Sequence, residues 1–370
     1  MVVISKWRVM SKRVRILIRA ANWVGDAIMT TPVIRAIRKS YPDAHITLLA
    51  KPWVIPVFDQ NLHIDEIMVY QNSTRHIRGV GTLRLARDIR QQRFDIAVLM
   101  QNAFEAALIT FLAAIPVRIG YNTDARGLLL NPSVRLDPRL KKGHLIDYYR
   151  GILRGAGEHL FVDDGRTLDL SVSQIEKEEA SAAIADYEIE LSDPVIGINP
   201  GATGGTAKRW FPKRYAELAR RLAIRFNTKI LIFGGPSDQS LGDDINIASG
   251  GLCINLAGKT TLREAFALIE QCDLFITNDS GLMHAAAALG TDQIAIIGST
   301  DHIATAPSAE NSTMIRVPVP CSPCLEEHCP KSTHDSNHHI CMDKISVDMV
   351  MRVSESVLQK RGIHPVALHQ

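Results

Sequence analysis

The sequence predicts an α/β protein made of two doubly wound, Rossmann-like domains in succession, and three observations carry that reading. Strand-length apolar runs alternate with helical stretches from residue 14 to residue 297, the pattern of a parallel sheet with helices on both faces. The alternation pauses once, over residues 163–173, and restarts after a polar linker, Leu191, Ser192, Asp193 and Pro194. The chain's 370 residues exceed one ordinary core and suit two. Residues 1–190 and 191–345 are the two domains on this reading, and 346–370 are a terminal helix. Their C-terminal strand ends are expected to face a common cleft, where such folds bind ligands.

The elements follow in order. Residues 14–18 are the first strand, and a loop over 20–25 leads to a helix over 27–40. Its apolar Ile28, Pro32, Val33 and Ile37 recur at roughly helical spacing. Residues 46–50 are a second strand, ended by Lys51 and Pro52, and 67–70 a third. A helix over 84–91 precedes a strand at 95–99, and an apolar helix over 104–114 precedes a short strand at 117–120. In the second half, helix 174–187 comes before a strand at 195–198. Helix 213–226 and strand 229–233 follow. A helix begins near Ser237, a strand lies at 253–256, and helix 261–271 leads to strand 274–277. Residues 294–297 read as the last strand and 346–361 as the terminal helix.

Bulk properties exclude some classes. Apolar residues make up 46% and charged residues 22%, so the chain is globular rather than disordered. A net charge of +3 does not call for nucleic acid. The positive charge is uneven: Lys6, Arg8, Lys12, Arg13 and Arg15 form one group, and Arg75, Arg78, Arg84, Arg87, Arg90 and Arg93 another. Each alone reads as a solvated face. Together they suit a domain that meets a phosphorylated partner or an anionic membrane surface. No apolar run reaches the ~18 residues of a membrane span, and no cleavable leader is evident. The expected location is the cytoplasm, with contact to the membrane.

The most informative stretch is 273–290, DLFITNDSGLMHAAAALG. A buried strand turns sharply through Asn278, Asp279, Ser280 and Gly281 into an Ala-rich helix. Asp279 or Ser280 is a natural N-cap, and Gly281 lets the backbone approach a ligand. Free N–H groups and the helix dipole suit an anion there, although an ordinary capped joint has the same pattern. His284 lies one turn into this helix, where a core role and a donor to phosphate or sugar both fit.

Three more turns follow strands. Asn22, Trp23, Val24, Gly25 and Asp26 come after the first strand. Asp26 there is either a plain N-cap or a carboxylate kept ionised as a general base. Residues 199–210, NPGATGGTAKRW, place three glycines, Thr203 and Lys208 in one loop, a phosphate cradle without the Walker ending. Gly234, Gly235, Pro236, Ser237 and Asp238 form a turn in which Asp238 serves either a ribose or the backbone. Cys321, Cys324, Cys329 and Cys341, with four histidines among them, supply enough ligands for zinc. Their spacings are not those of a usual finger or ribbon, so a metal site and a cysteine-bearing loop both remain open. Cys253 and Cys272 sit in strand-like contexts and read as core.

Taken together, NWVGDAIMTTPVIRAIRKSYPDAHITLLA, PGATGGTAKRWFPKRYAELARRL and NDSGLMHAAAALG resemble the ADP-heptose:lipopolysaccharide heptosyltransferases of glycosyltransferase family 9, nearest to those adding the second heptose. The resemblance spans roughly residues 14–350. It implies a GT-B fold and an inverting transfer from ADP-heptose to the lipopolysaccharide inner core, heptosyl-Kdo2-lipid A, with no metal or other cofactor required. The first domain then binds the acceptor and the second the donor. By the motif match Asp26 is the catalytic base, Thr203 and Lys208 hold the donor diphosphate, and Asp279, Ser280, Gly281 and His284 form the donor turn. Asp238 falls near the ribose and Thr260 near the adenine. Phe211 between Trp210 and Pro212, and Ser299 after Gly298, depart from the family pattern. Another core heptosyl- or glycosyltransferase step, a nucleotide-sugar isomerase and a non-catalytic glycan-binding protein are the competing readings.

Overall fold

The computed structural model describes residues 13–157, 160–190 and 193–366. It divides into two compact units, with the boundary between Arg166 and Thr167.

The first unit is built on a six-stranded parallel sheet in the order β3-β2-β1-β4-β5-β6. The strands are β1 (Arg15–Arg19), β2 (His45–Ala50), β3 (Glu66–Val69), β4 (Ile96–Leu99), β5 (Val117–Tyr121) and β6 (Ser133–Val134). β1 lies at the centre, and Ile16, Leu17 and Ile18 are all fully buried. Burial on both faces explains why its sequence is a continuous apolar run rather than an alternating one. The helix expected over 27–40 is instead two, Val24–Met29 and Thr31–Ser40. Pro32 lacks an N–H and so starts a helix rather than continuing one. The Thr30 hydroxyl donates to the Ala27 carbonyl at 2.7 Å and closes the joint. The first helix thereby starts earlier than expected, with Trp23 as its N-cap and Asp26 inside its first turn. β6 and the helices Pro138–Lys141 and Leu145–Ala156 were not anticipated.

The second unit repeats the plan, with strand order β12-β11-β10-β7-β8-β9. The strands are β7 (Ile196–Asn199), β8 (Ile230–Ile232), β9 (Cys253–Asn255), β10 (Leu274–Asn278), β11 (Gln293–Ile296) and β12 (Ser312–Ile315). Ile196, Ile198, Ile230, Ile232, Leu274, Ile276, Ile294 and Ile296 form one core with Trp210, Tyr215 and Met351. β12 extends the sheet beyond the strand expected to be last. Only Ile315 of its four residues is buried, so this edge strand carries no apolar run to read. Cys253 and Cys272 are buried, as expected.

The unit boundary differs from residue 190 for a packing reason. Helix Gln174–Asp186 lies on helix Leu262–Glu270. It is tied there by Arg263–Glu176 at 2.6 Å and Lys177–Glu270 at 2.9 Å. Helix Val347–Lys360 packs on Pro212–Phe226 and is part of the second unit's body. Among the described residues, no helix is long and apolar enough to cross a membrane.

Candidate active site

In each sheet the strand order reverses beside the unit's first strand, between β1 and β4 and between β7 and β10. Crevices for ligands open at such reversals, outside the carboxyl ends of the strands. In the second unit the two turns flanking the reversal are knit together by two buried asparagines. Asn278 is fully buried. Its amide nitrogen donates to the Pro200 carbonyl at 2.8 Å, and its Oδ1 accepts from the Trp210 N–H at 3.0 Å and the Tyr215 hydroxyl at 3.1 Å. Asn199 Nδ2 donates to Ser280 Oγ at 2.8 Å and Thr277 Oγ1 at 3.1 Å. The loop carrying Thr203 and Lys208 is thus fixed against the turn carrying Asp279, Ser280 and Gly281.

Ser280 is the N-cap of helix Gly281–Leu289, accepting from the Met283 N–H. The first N–H groups of a helix have no intrahelical acceptor and sit at its positive end, so this turn is suited to an anion. Asp279 is nearly buried, and its Oδ2 accepts from the Thr305 hydroxyl at 2.6 Å. His284 is buried on the same helix. Thr203 is exposed and Lys208 half-buried. Gly204 and Gly205, with φ of 84° and 111°, give the loop a left-handed bend that glycine tolerates best.

Asp238 and Thr260 belong to the neighbouring strand ends. Asp238 is nearly buried, pairs with Arg209 at 3.3 Å and accepts from the Gly235 N–H at 3.1 Å. It also closes against Gly201, where a Cβ would stand 2.5 Å from its Oδ2. Thr260 precedes Thr261, the N-cap of Leu262–Glu270. The two loops meet where the Gly258 N–H donates to the Gly234 carbonyl at 3.0 Å. Seven of the eight second-unit positions singled out in the sequence therefore lie at four adjacent strand ends, and His284 lies one turn into helix Gly281–Leu289.

Asp26 stands in the first unit, in the first turn of helix Val24–Met29, which follows β1. Its Oδ1 accepts a 2.9 Å hydrogen bond from the Tyr149 hydroxyl. Burial, and then the Asp26 charge, raise the Tyr149 pKa well above the usual phenol range, so Tyr149 remains a donor. The turn itself is held by Arg19, which donates to the Ala20 carbonyl at 2.7 Å and to Asn22 Oδ1 at 2.9 Å. Trp53 Nε1 donates to the Asn22 carbonyl at 2.7 Å, and the Lys51 ammonium lies 4.9 Å from the Trp53 ring. Burial lowers the Arg19 pKa to about 10; burial and then the Arg19 charge lower that of Lys51. Sequence reasoning missed Arg19, Lys51, Trp53 and Tyr149 as site residues. Lys51 had a signal, its place at the end of β2. Tyr149 had none, because its partner lies 123 residues away.

Of the first basic group, Lys6, Arg8 and Lys12 lie outside the described residues. In the second, Arg78, Arg84, Arg87, Arg90 and Arg93 are exposed, and Arg75 pairs with Asp88 at 2.7 Å. Ile77, Val80 and Leu83 are exposed beside them, at 54%, 74% and 58%. Cys321, Cys324, Cys329 and Cys341 are free thiols that line one cavity of about 30 Å³. Among the described residues, no three His, Cys, Asp or Glu side chains stand close enough to hold a metal ion as placed. A groove of about 510 Å³ lies between helices Pro212–Phe226 and Val347–Lys360. Its walls are helix exteriors with paired charges, Arg221–Asp348 and Arg225–Glu355, and it includes none of the strand-end turns. We therefore locate the chemistry at the strand ends.

Residues 82–334 match the profile of Glycosyltransferase family 9 (heptosyltransferase). Lipopolysaccharide heptosyltransferase 2 of Salmonella typhimurium is 33% identical over 312 residues, covering 82% of this chain and 88% of that protein. Its Escherichia coli counterpart is 32% identical with the same coverage. Among solved structures, E. coli ADP-heptose lps heptosyltransferase II superposes with a TM-score of 0.78 at 28% identity, covering 94% of this chain and 99% of that one. A glycosyl transferase family 9 structure from Veillonella parvula gives a TM-score of 0.80 at 24% identity, covering 94% and 97%.

Proposed function

The chain belongs to glycosyltransferase family 9, the heptosyltransferases, and from that premise we propose that it adds the second L-glycero-D-manno-heptose of the lipopolysaccharide inner core from ADP-heptose, inverting the anomeric centre. It is an enzyme of GT-B architecture, with two Rossmann-like units. The naming of its relatives as heptosyltransferase 2 supports the step. The observation that carries the donor site is the pairing of the Lys208 loop with the capped Gly281 helix through Asn199 and Asn278. Two devices that favour a diphosphate are held side by side there. Neither the isomerase nor the glycan-binding reading is favoured.

In this mechanism the acceptor hydroxyl oxygen attacks the anomeric carbon of the heptose. The bond from that carbon to the phosphate oxygen breaks, and ADP leaves with the electron pair. Asp26 takes the hydroxyl proton. Tyr149 holds the carboxylate in place. Thr203, Lys208 and the Ser280–Gly281 turn stabilise the charge that grows on ADP. Asp279 and His284 meet the heptose or its phosphate, Asp238 the ribose and Thr260 the adenine. Lys208 and the helix end supply the positive charge, so no metal or other cofactor takes part. Lys51 meets the anionic groups of heptosyl-Kdo2-lipid A, and the buried Arg19 holds the Asn22 turn beside it. The exposed arginines with Ile77, Val80 and Leu83 suit the cytoplasmic face of the inner membrane.

Calorimetric titration of ADP tests the donor assignment. Lys208→Ala is expected to weaken ADP binding by about tenfold or more, the value of one charge-assisted contact. Unchanged affinity in a folded variant removes Lys208 from the site.

A further inference from the structure

We propose that Cys321, Cys324, Cys329 and Cys341 form a thiolate site for a divalent cation of the zinc class, a structural clip that holds residues 316–339 in shape. Residues 316–339 contain no helix or strand. A stretch that long inside a compact unit needs something to order it. Hydrogen bonds anchor it at points: the Cys324 and Leu325 N–H groups both donate to the Ser299 carbonyl, at 3.1 and 3.0 Å. The Ala207 N–H donates to the Glu327 carbonyl at 3.0 Å. Within this frame four of the chain's six cysteines line a single cavity. The other two, Cys253 and Cys272, are buried among apolar side chains elsewhere in the unit.

The cavity's size and walls select the ligand. At about 30 Å³ it takes one ion and no organic molecule. Ala207, Pro330 and Ile340 close it with apolar surface, a shell that keeps water from metal–thiolate bonds. The His339 backbone N–H donates to Cys329 Sγ at 3.2 Å, the kind of outer bond that favours the thiolate over the thiol. Four thiolates are the donor set of closed, structural zinc sites, with metal–sulfur distances of about 2.3 Å. As placed, the four cysteines do not stand close enough to share an ion, so binding requires their side chains to turn inward. The thiols give up their protons to solvent as the metal–sulfur bonds form, with no change in oxidation state.

The clip bears on the donor loop. A Cβ on Gly205 would stand 1.9 Å from the Glu327 carbonyl oxygen, so the cysteine segment sets the path of the loop carrying Thr203 and Lys208. This last consequence rests on the proposed donor site; the metal site does not.

Metal analysis of the full chain, purified without chelator from zinc-supplemented cells, tests the proposal. The expected content is about one zinc per chain, released to a chromogenic chelator as an organomercurial titrates the thiols. Cys324→Ser and Cys329→Ser lose the metal, while Cys272→Ser retains it. If a variant fails to fold, the titration of the unaltered protein still decides. Absence of metal both as purified and after anaerobic reconstitution with zinc overturns the site. So do disulfides among these four cysteines in the native protein, and one equivalent of iron instead of zinc overturns the zinc assignment. ADP affinity measured on metal-loaded and metal-stripped protein separates the clip from the donor site, since either is able to fail alone.

Discussion

The proposed role of Asp26 in proton transfer is supported by two local facts: it lies in the first turn of a helix, and Tyr149 donates to it at 2.9 Å. Both favour its ionised form. Asp26→Asn is expected to lower kcat by about 10²–10⁴-fold, the usual contribution of a general base. Its melting temperature should stay close to that of the parent; a variant with full activity would remove Asp26 from the mechanism. Tyr149→Phe takes one donor from the carboxylate, which raises its pKa. The acid limb of the rate profile should therefore move to higher pH, with a smaller fall in kcat. A structural role for Tyr149 would lower the yield of folded protein and leave the limb where it was. Asp26 was singled out in the sequence because its turn carries a family motif. Tyr149 was not, because a contact across 123 residues leaves no local trace.

At the scale of elements, the paired turns after β7 and β10 depend on Asn278. Asn278→Ala strands the Trp210 N–H and the Pro200 carbonyl away from water, with an expected loss of about 2–3 kcal/mol in denaturant unfolding. A loss under about 0.5 kcal/mol would show that the turns do not need this bridge. The grip of helix Gln174–Asp186 on the second unit carries a pH signature. The bond from Arg263, with the Ser173 contacts, brings the Glu176 pKa down to about 2 from an ordinary 4.5. A depressed carboxylate stabilises fully above its unfolded pKa, and that stability is lost as pH falls from about 4.5 towards 2. Arg263→Ala should flatten this loss, measured as the pH dependence of unfolding. The central strands were readable because parallel strands buried on both faces are solid apolar runs. β12 was not, because three of its four residues are not buried. The break at Thr30 was written in Pro32, which lies within a pattern that reads as one helix.

Over the whole molecule, two Rossmann-like units follow from the repeated alternation, and that repetition was legible. The boundary was not: helix Gln174–Asp186 precedes the polar linker in sequence yet packs on the second unit through Arg263 and Glu270. Such side-chain pairings leave no periodic signal. The membrane reading also belongs to this scale. Converting Arg78, Arg84 and Arg87 together to Glu should abolish salt-sensitive binding to anionic phospholipid vesicles, each arginine being worth about 1 kcal/mol at such a surface. Undiminished binding would move the membrane contact elsewhere.

The transferase claim rests most directly on one assay, ADP release from ADP-heptose with and without a lipopolysaccharide acceptor bearing a single inner-core heptose, followed by the acceptor's mass. The account predicts release that depends on this acceptor and a mass gain of one heptose. Conversion of the donor without any gain in acceptor mass, or transfer only to a heptose-free core, would contradict it.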